Sequence, residues 1–190
     1  MDPDIARNRL LDAAEELFYG RGVQAVGMDE LRSASGVSLK RLYQLFPSKA
    51  DLVEAYLRRR DTRWRQSLAA YVSERTGPRP RVLAVFDWLH DWFAGPGFRG
   101  CAFINSFGEL GAVSPAVAAA AREHKDAFHR YLAELAADAG GPPELAGQLA
   151  LLAEGAITTA AISGSPEAAR RARSTAETLL QLAQPKGNPV

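Results

Sequence analysis

Glycine and proline cut this chain into pieces of a single kind. Breaks at Gly20 and Gly22, Gly36, Pro47, Gly77-Pro78, Gly95-Pro96-Gly97, Ser114-Pro115, Gly140-Gly141-Pro142-Pro143 and Gly164-Ser165-Pro166 separate segments whose apolar residues recur three and four positions apart. No segment alternates apolar and polar residues as a half-buried strand would. The expected fold class is therefore all-α. With 190 residues, 47% of them hydrophobic, such a chain can bury a core without covalent staples.

The first four segments carry the clearest end signals. Asp2-Pro3-Asp4 suits a helix N-cap and first turn, and Leu10, Ala14, Leu17 and Phe18 then share one face until Gly20 and Gly22, which are expected to stop the helix. A short helix should run from about Met28 to Ser35 with Leu31 inward, followed by a turn at Gly36, where a positive φ is tolerated. Ser38 can cap the third helix, Leu42 and Phe46 face inward at i and i+4, and Pro47 ends it. Ser48-Lys49-Ala50-Asp51 reads as a capping box. Leu52, Val53, Tyr56, Leu57, Trp64, Leu68 and Val72 then continue at helical spacing to about Arg75. At 1.5 Å per residue that fourth helix spans roughly 40 Å, more than one small domain needs, so it is expected to join two.

Composition narrows the compartment and the partners. The single cysteine, Cys101, cannot form an intrachain disulfide, and the N-terminus lacks a basic region, an apolar run and a cleavage site in sequence. No uninterrupted apolar stretch approaches the roughly 20 residues of a bilayer span. The expectation is a soluble, cytoplasmic protein with no membrane partner. The net charge of +1 decides little, because a nucleic-acid binder needs only a local basic face. Such a segment exists: Lys40, Arg41, Lys49, Arg58, Arg59, Arg60, Arg63 and Arg65 are opposed only by Asp51, Glu54 and Asp61. Alone it proves nothing, since a solvated helix surface is the commoner fate of a charge run.

Three short helices with a glycine between the second and third form a helix-turn-helix pattern, whose last helix enters the major groove. The run Leu11-Asp12-Ala13-Ala14-Glu15-Glu16-Leu17-Phe18, then Arg21-Gly22, Ala34-Ser35-Gly36-Val37-Ser38 and Leu42-Tyr43-Gln44-Leu45-Phe46-Pro47-Ser48-Lys49, closely resembles the TetR family of transcriptional regulators. The resemblance implies a helix-turn-helix DNA-binding domain over residues 1–47 and a helical effector-binding and dimerisation domain over 48–183, leaving 184–190 as a flexible tail. It also implies a homodimeric regulator that binds double-stranded operator DNA, here expected to be a repressor released by a small, largely apolar effector.

By that resemblance, Ser38 to Leu45 is the recognition helix, and Tyr43 and Lys49 stand where the family touches phosphates. Helical geometry agrees: with Leu42 and Phe46 inward, Lys40 and Gln44 point away and Arg41 and Tyr43 flank them. Ser38, Lys40, Arg41, Tyr43, Gln44 and Lys49 are thus the candidate DNA-binding residues, with Arg or Lys suited to guanine, Gln to adenine and Tyr to phosphate. The chain departs from the family pattern in three places. Gly27 replaces a capping threonine or serine, Arg32 stands where a small residue is usual, and Leu39-Lys40-Arg41 replaces a basic, small, hydroxyl run. These bear on the operator sequence rather than on DNA binding.

In the remainder, aromatic residues crowd the middle, and pockets are lined by such groups with a few convergent polar atoms. Trp64, Trp88, Trp92, Phe103, Asn105, Phe107 and Phe128 are the candidate effector contacts, with Ser106, Glu109, His90 and His124 as further polar groups. Two stripes near the C-terminus supply dimer-interface candidates: Leu149, Leu152, Ala153, Ala156 and Ile157, then Ala176 and Leu179. Periodicity cannot separate an interface from intrachain core.

The constellations of an enzyme are missing. There is no G-x-S-x-G elbow, no phosphate loop and no H-E-x-x-H pair, and His124 and His129 lie on different helix faces, so neither a catalytic residue, a cofactor nor a metal is expected. Cys101, two residues after Arg99, invites comparison with thiol sensors, but a buried thiol is the simpler reading.

Overall fold

A computed structural model describes residues 1–183; the tail expected over 184–190 lies outside them. The described residues form helices α1 (Pro3–Arg21), α2 (Met28–Ser35), α3 (Leu39–Leu45), α4 (Lys49–Ser73), α5 (Pro78–Ala94), α6 (Ala102–Leu110), α7 (Pro115–Asp138), α8 (Pro143–Ser163) and α9 (Glu167–Leu182). The expected all-α class is what forms.

Local chemistry explains most of the ends. The Asp2 carboxylate accepts from the backbone N–H groups of Asp4 and Ile5 at 2.8 and 3.3 Å. Asp51 and Ser48 cap α4 reciprocally: Asp51 Oδ2 accepts from Ser48 N–H at 2.9 Å, and Ser48 Oγ accepts from Asp51 N–H at 3.2 Å. Pro78, Pro115 and Pro143 each open a helix, where the missing N–H costs nothing. One expected stop was misplaced. Gly20 stays inside α1, and Gly22 alone ends the helix, with φ +90°. A glycine at helical φ costs about 1 kcal/mol relative to alanine, too little to break a packed helix.

Packing divides the chain into two compact units, Met1–Arg63 with Cys101–His124, and Trp64–Gly100 with the residues from Lys125 onward. In the first unit α1, α2 and α3 pack on one another around Leu10, Ala14, Phe18, Leu31, Leu42 and Phe46, all buried. Leu52, Val53, Tyr56 and Leu57 of α4 are buried too, and Tyr56 meets Phe18 edge-on at 5.7 Å. The start of α4 thus belongs to the same packed unit as α1, α2 and α3. In the second unit α5, α8 and α9 pack together. Alanines 153, 156, 160, 169, 172 and 176 are buried there, and their small side chains let the helix axes approach closely.

α8 qualifies a further expectation. Within its 21 residues an 18-residue stretch reaches a mean hydropathy of 1.4, long and apolar enough to cross a membrane by length and composition. Leu145, Leu149, Ala153, Ile157 and Ala160 are buried on one side, the pattern of a core helix.

Candidate nucleic-acid interface

The turn between α2 and α3 passes through Gly36 at φ +64°, a left-handed conformation that side chains rarely adopt. Ser38 then caps α3, its hydroxyl accepting from Arg41 N–H at 3.4 Å. Leu42 is fully buried and Phe46 is 2% exposed, so this seven-residue helix has one inner edge and presents the rest. Ser38, Lys40, Tyr43 and Gln44 are exposed, and Arg41 and Lys49 are half-buried. The six sequence-derived candidates are thus all accessible on or beside α3. Arg41 donates to Gln44 Oε1 at 3.3 Å, so two groups suited to base edges meet each other on the free surface.

Gly27 supplies no side-chain cap to α2; Glu30 reaches back to accept from Gly27 N–H at 3.3 Å. The same carboxylate takes a 2.6 Å ion pair from Arg21, and that hydrogen bond is the main reason its pKa lies below the ordinary glutamate value. Arg32 runs outward to Asp29 at 3.7 Å and Ser33 at 3.3 Å, so its long side chain is directed away from the core.

Arg59, Arg60 and Arg63 of the basic segment are engaged within the chain. Arg59, Arg60 and Arg63 converge on Glu15 of α1 at 3.2, 2.9 and 3.1 Å, and Arg59 also reaches Asp12 at 2.8 Å. Arg60 in addition covers the Tyr19 ring at 3.8 Å. These guanidinium groups tie α4 to α1 inside the first unit; the reading as a plain solvated surface was incomplete.

The effector candidates fall in two groups. Trp64, Trp88, Trp92 and Phe128 belong to the second unit, where the Trp64 ring lies 5.0, 5.8 and 5.1 Å from the other three, edge-on to each. Trp88 Nε1–H donates to Ser67 Oγ at 3.3 Å. Phe103, Asn105 and Phe107 belong to the first unit. Phe103 is buried and stacks on the His124 imidazole at 3.8 Å with planes 6° apart, while His124 Nδ1 lies 2.7 Å from Asp61. Asn105 is exposed and Phe107 is half-exposed over Gly111. Cys101 is a buried thiol at the N-cap of α6.

Glu109 carries a role that sequence reasoning missed. Its carboxylate accepts from Val23 N–H at 3.1 Å and Gln24 N–H at 2.7 Å, and its carbonyl accepts from Gln24 Nε2 at 2.6 Å. Some 85 residues separate the partners, so no local pattern could reveal them.

Most of the dimer candidates are enclosed within the single chain. Leu149, Ala153, Ala156, Ile157 and Ala176 are at most 5% exposed within the single chain, and of these Ala156 lines the groove between α8 and α9. Leu152 and Leu179 keep partial exposure. The outward apolar residues are instead Leu151 at 77% and Ile162 at 84% exposure on α8, and Leu182 at 77% on α9. Leu151 joins Leu152, Gly155, Thr159, Arg171 and Thr175 along an open groove of about 480 Å³ between these two helices.

Comparison with known proteins supplies the family. Residues 10–56 match the profile described as "Bacterial regulatory proteins, tetR family", and residues 78–176 match "Tetracyclin repressor-like, C-terminal domain". Over 93 residues, 46% of this chain and 42% of the relative, it is 42% identical to the HTH-type transcriptional activator FasR of Mycolicibacterium smegmatis. The transcriptional regulator AcuR of Cereibacter sphaeroides is 30% identical over 76% of this chain and 67% of its own length. A crystal structure of a TetR-family regulator from Streptomyces coelicolor superposes with a TM-score of 0.87 and 30% identity, covering 95% of this chain and 96% of that one. With both halves matched in sequence and the whole matched in fold, the chain belongs to the TetR family of DNA-binding transcriptional regulators.

Proposed function

We propose that this regulator is a homodimeric repressor whose α3 reads operator bases through Lys40, Arg41 and Gln44, with Ser38, Tyr43 and Lys49 at the flanking phosphates. One observation carries the reading: Leu42 and Phe46 bury the inner edge of α3 while Lys40, Tyr43 and Gln44 are exposed on its outer side. A small, largely apolar molecule is the proposed effector, and the domain type matched over residues 78–176 supports a ligand-binding role. The outward α8–α9 face around Leu151 and Ile162 is the proposed dimer surface, since large exposed aliphatic residues on adjacent helices favour a covering partner. Two-fold pairing also suits an operator with two half-sites about one helical turn apart. Action on DNA puts the proposed place of work in the cytoplasm, and no catalytic role is proposed.

Selection of duplexes from a random-sequence library tests the DNA reading. The selected duplex should bind about 10³-fold or more tightly than random duplex, and equal affinities would defeat sequence-specific recognition. Transcription in vitro from a promoter containing that duplex should fall when the protein is added. A rise would replace the repressor with an activator, the role named for the Mycolicibacterium relative. An apolar compound that quenches tryptophan fluorescence should bind 5- to 150-fold more weakly when the selected duplex is saturating; equal affinity would dismiss it as an inducer.

A further inference from the structure

We propose that Glu109 is a positioning residue for operator recognition: from the last turn of α6 it fixes the turn that sets the angle between α1 and the α2–α3 pair. This rests on the DNA reading above and adds a residue far from the recognition helix. The geometry is two-sided. Each carboxylate oxygen takes one of two consecutive amides, Val23 at 3.1 Å and Gln24 at 2.7 Å, while the Gln24 side chain returns a bond to the Glu109 carbonyl at 2.6 Å. Gly22 makes room for it, because a Cβ there would stand 3.0 Å from Glu109 Oε1.

The held segment matters because it is short and lies directly before α2. Gly22 ends α1 at φ +90°, and α2 begins at Met28. Val23 and Val26 are buried within the turn, so the segment is anchored at its floor, and Glu30 fixes its far end through Gly27 N–H. What remains to be set is the backbone at 23 and 24, where Glu109 is the hydrogen-bond acceptor. Bonds to an ionised carboxylate are short and directional, and they lapse once the groups separate beyond about 3.5 Å. A small displacement of the end of α6 therefore frees the turn, and with it the direction in which α3 is offered to DNA.

The test uses the full chain and the duplex selected from a random library by the wild-type protein. Glu109→Ala should bind that duplex about tenfold more weakly, with affinity for random duplex and the thermal midpoint nearly unchanged. Glu109→Gln should fall between, since its amide oxygen can serve one N–H but its NH₂ cannot serve the other. Hydrogen exchange at the Val23 and Gln24 amides should quicken in both variants. Wild-type affinity in Glu109→Ala overturns the proposal, as do amides that stay protected. Equal loss on both duplexes with a lowered midpoint reduces Glu109 to a structural brace and also overturns it. If the wild-type chain selects no sequence over random DNA, the underlying reading has failed instead.

Discussion

Arg41 and Gln44, one turn apart on α3, are joined by a hydrogen bond from the guanidinium to the amide oxygen at 3.3 Å. Both groups are suited to bidentate contacts with purines, and in the free protein each limits the other's rotamers. In the proposed complex, bonds to bases would compete with this one. Arg41→Ala should weaken binding to the selected duplex by about 1–3 kcal/mol with little effect on folding. An equal loss on random duplex would demote Arg41 to a phosphate contact. Combining it with Gln44→Ala should give a non-additive loss in a double-mutant cycle, because the two side chains touch.

Leu151→Glu should convert the proposed dimer to monomer, because the residue is 77% exposed on the outward side of α8 and its replacement disturbs no core. Two such charges facing across a two-fold interface would be desolvated without partners. Sedimentation velocity decides it, with circular dichroism confirming that helix content is retained; an intact dimer with normal DNA affinity would remove this face from consideration. Ala156→Glu is a poorer probe, since Ala156 is only 5% exposed at the floor of the α8–α9 groove and a glutamate there would disturb the packing of the two helices as well as any interface.

Glu15 is the shared counter-charge of Arg59, Arg60 and Arg63, and the first two have side chains only 14% and 13% exposed. Glu15→Gln keeps the shape and removes the charge, leaving guanidinium groups with reduced compensation in a partly dry setting. A loss of about 1–3 kcal/mol of unfolding free energy is expected, read from denaturant melts. A change below about 0.5 kcal/mol would show that water screens this cluster like an ordinary surface network.

Tyr56, at 1% exposure, has its pKa raised, chiefly by burial, well above the ordinary value of 10. The folded form thus holds the phenolic proton more tightly than the unfolded chain does. The stability this gives is complete below pH 10, the unfolded value, and is lost as pH rises above it toward the folded value. Between those limits the slope contributed by one proton is about 1.4 kcal/mol per pH unit. Tyr56→Phe should melt like wild type at pH 7 and lose stability less steeply above pH 10. Parallel curves would show that another group governs alkaline unfolding.

Sequence alone determined the elements. Helical spacing, proline at helix starts and the Ser48–Asp51 box act within four or five residues, and those distances are visible in a linear text. The face of α3 was equally legible, because burying Leu42 and Phe46 decides where Lys40 and Gln44 point. Tertiary structure alone decided the rest. The α8 stripe could not be assigned to core or interface from periodicity, since both fates want the same residues, and only the packing of α9 and α5 showed that Leu149 and Ala153 are consumed inside the chain. Glu109 and Glu15 were illegible for a different reason. A carboxylate's role depends on the donors it meets, and theirs arrive from helices and turns 44 to 86 residues away, brought there by apolar burial that carries no local trace of the pairing.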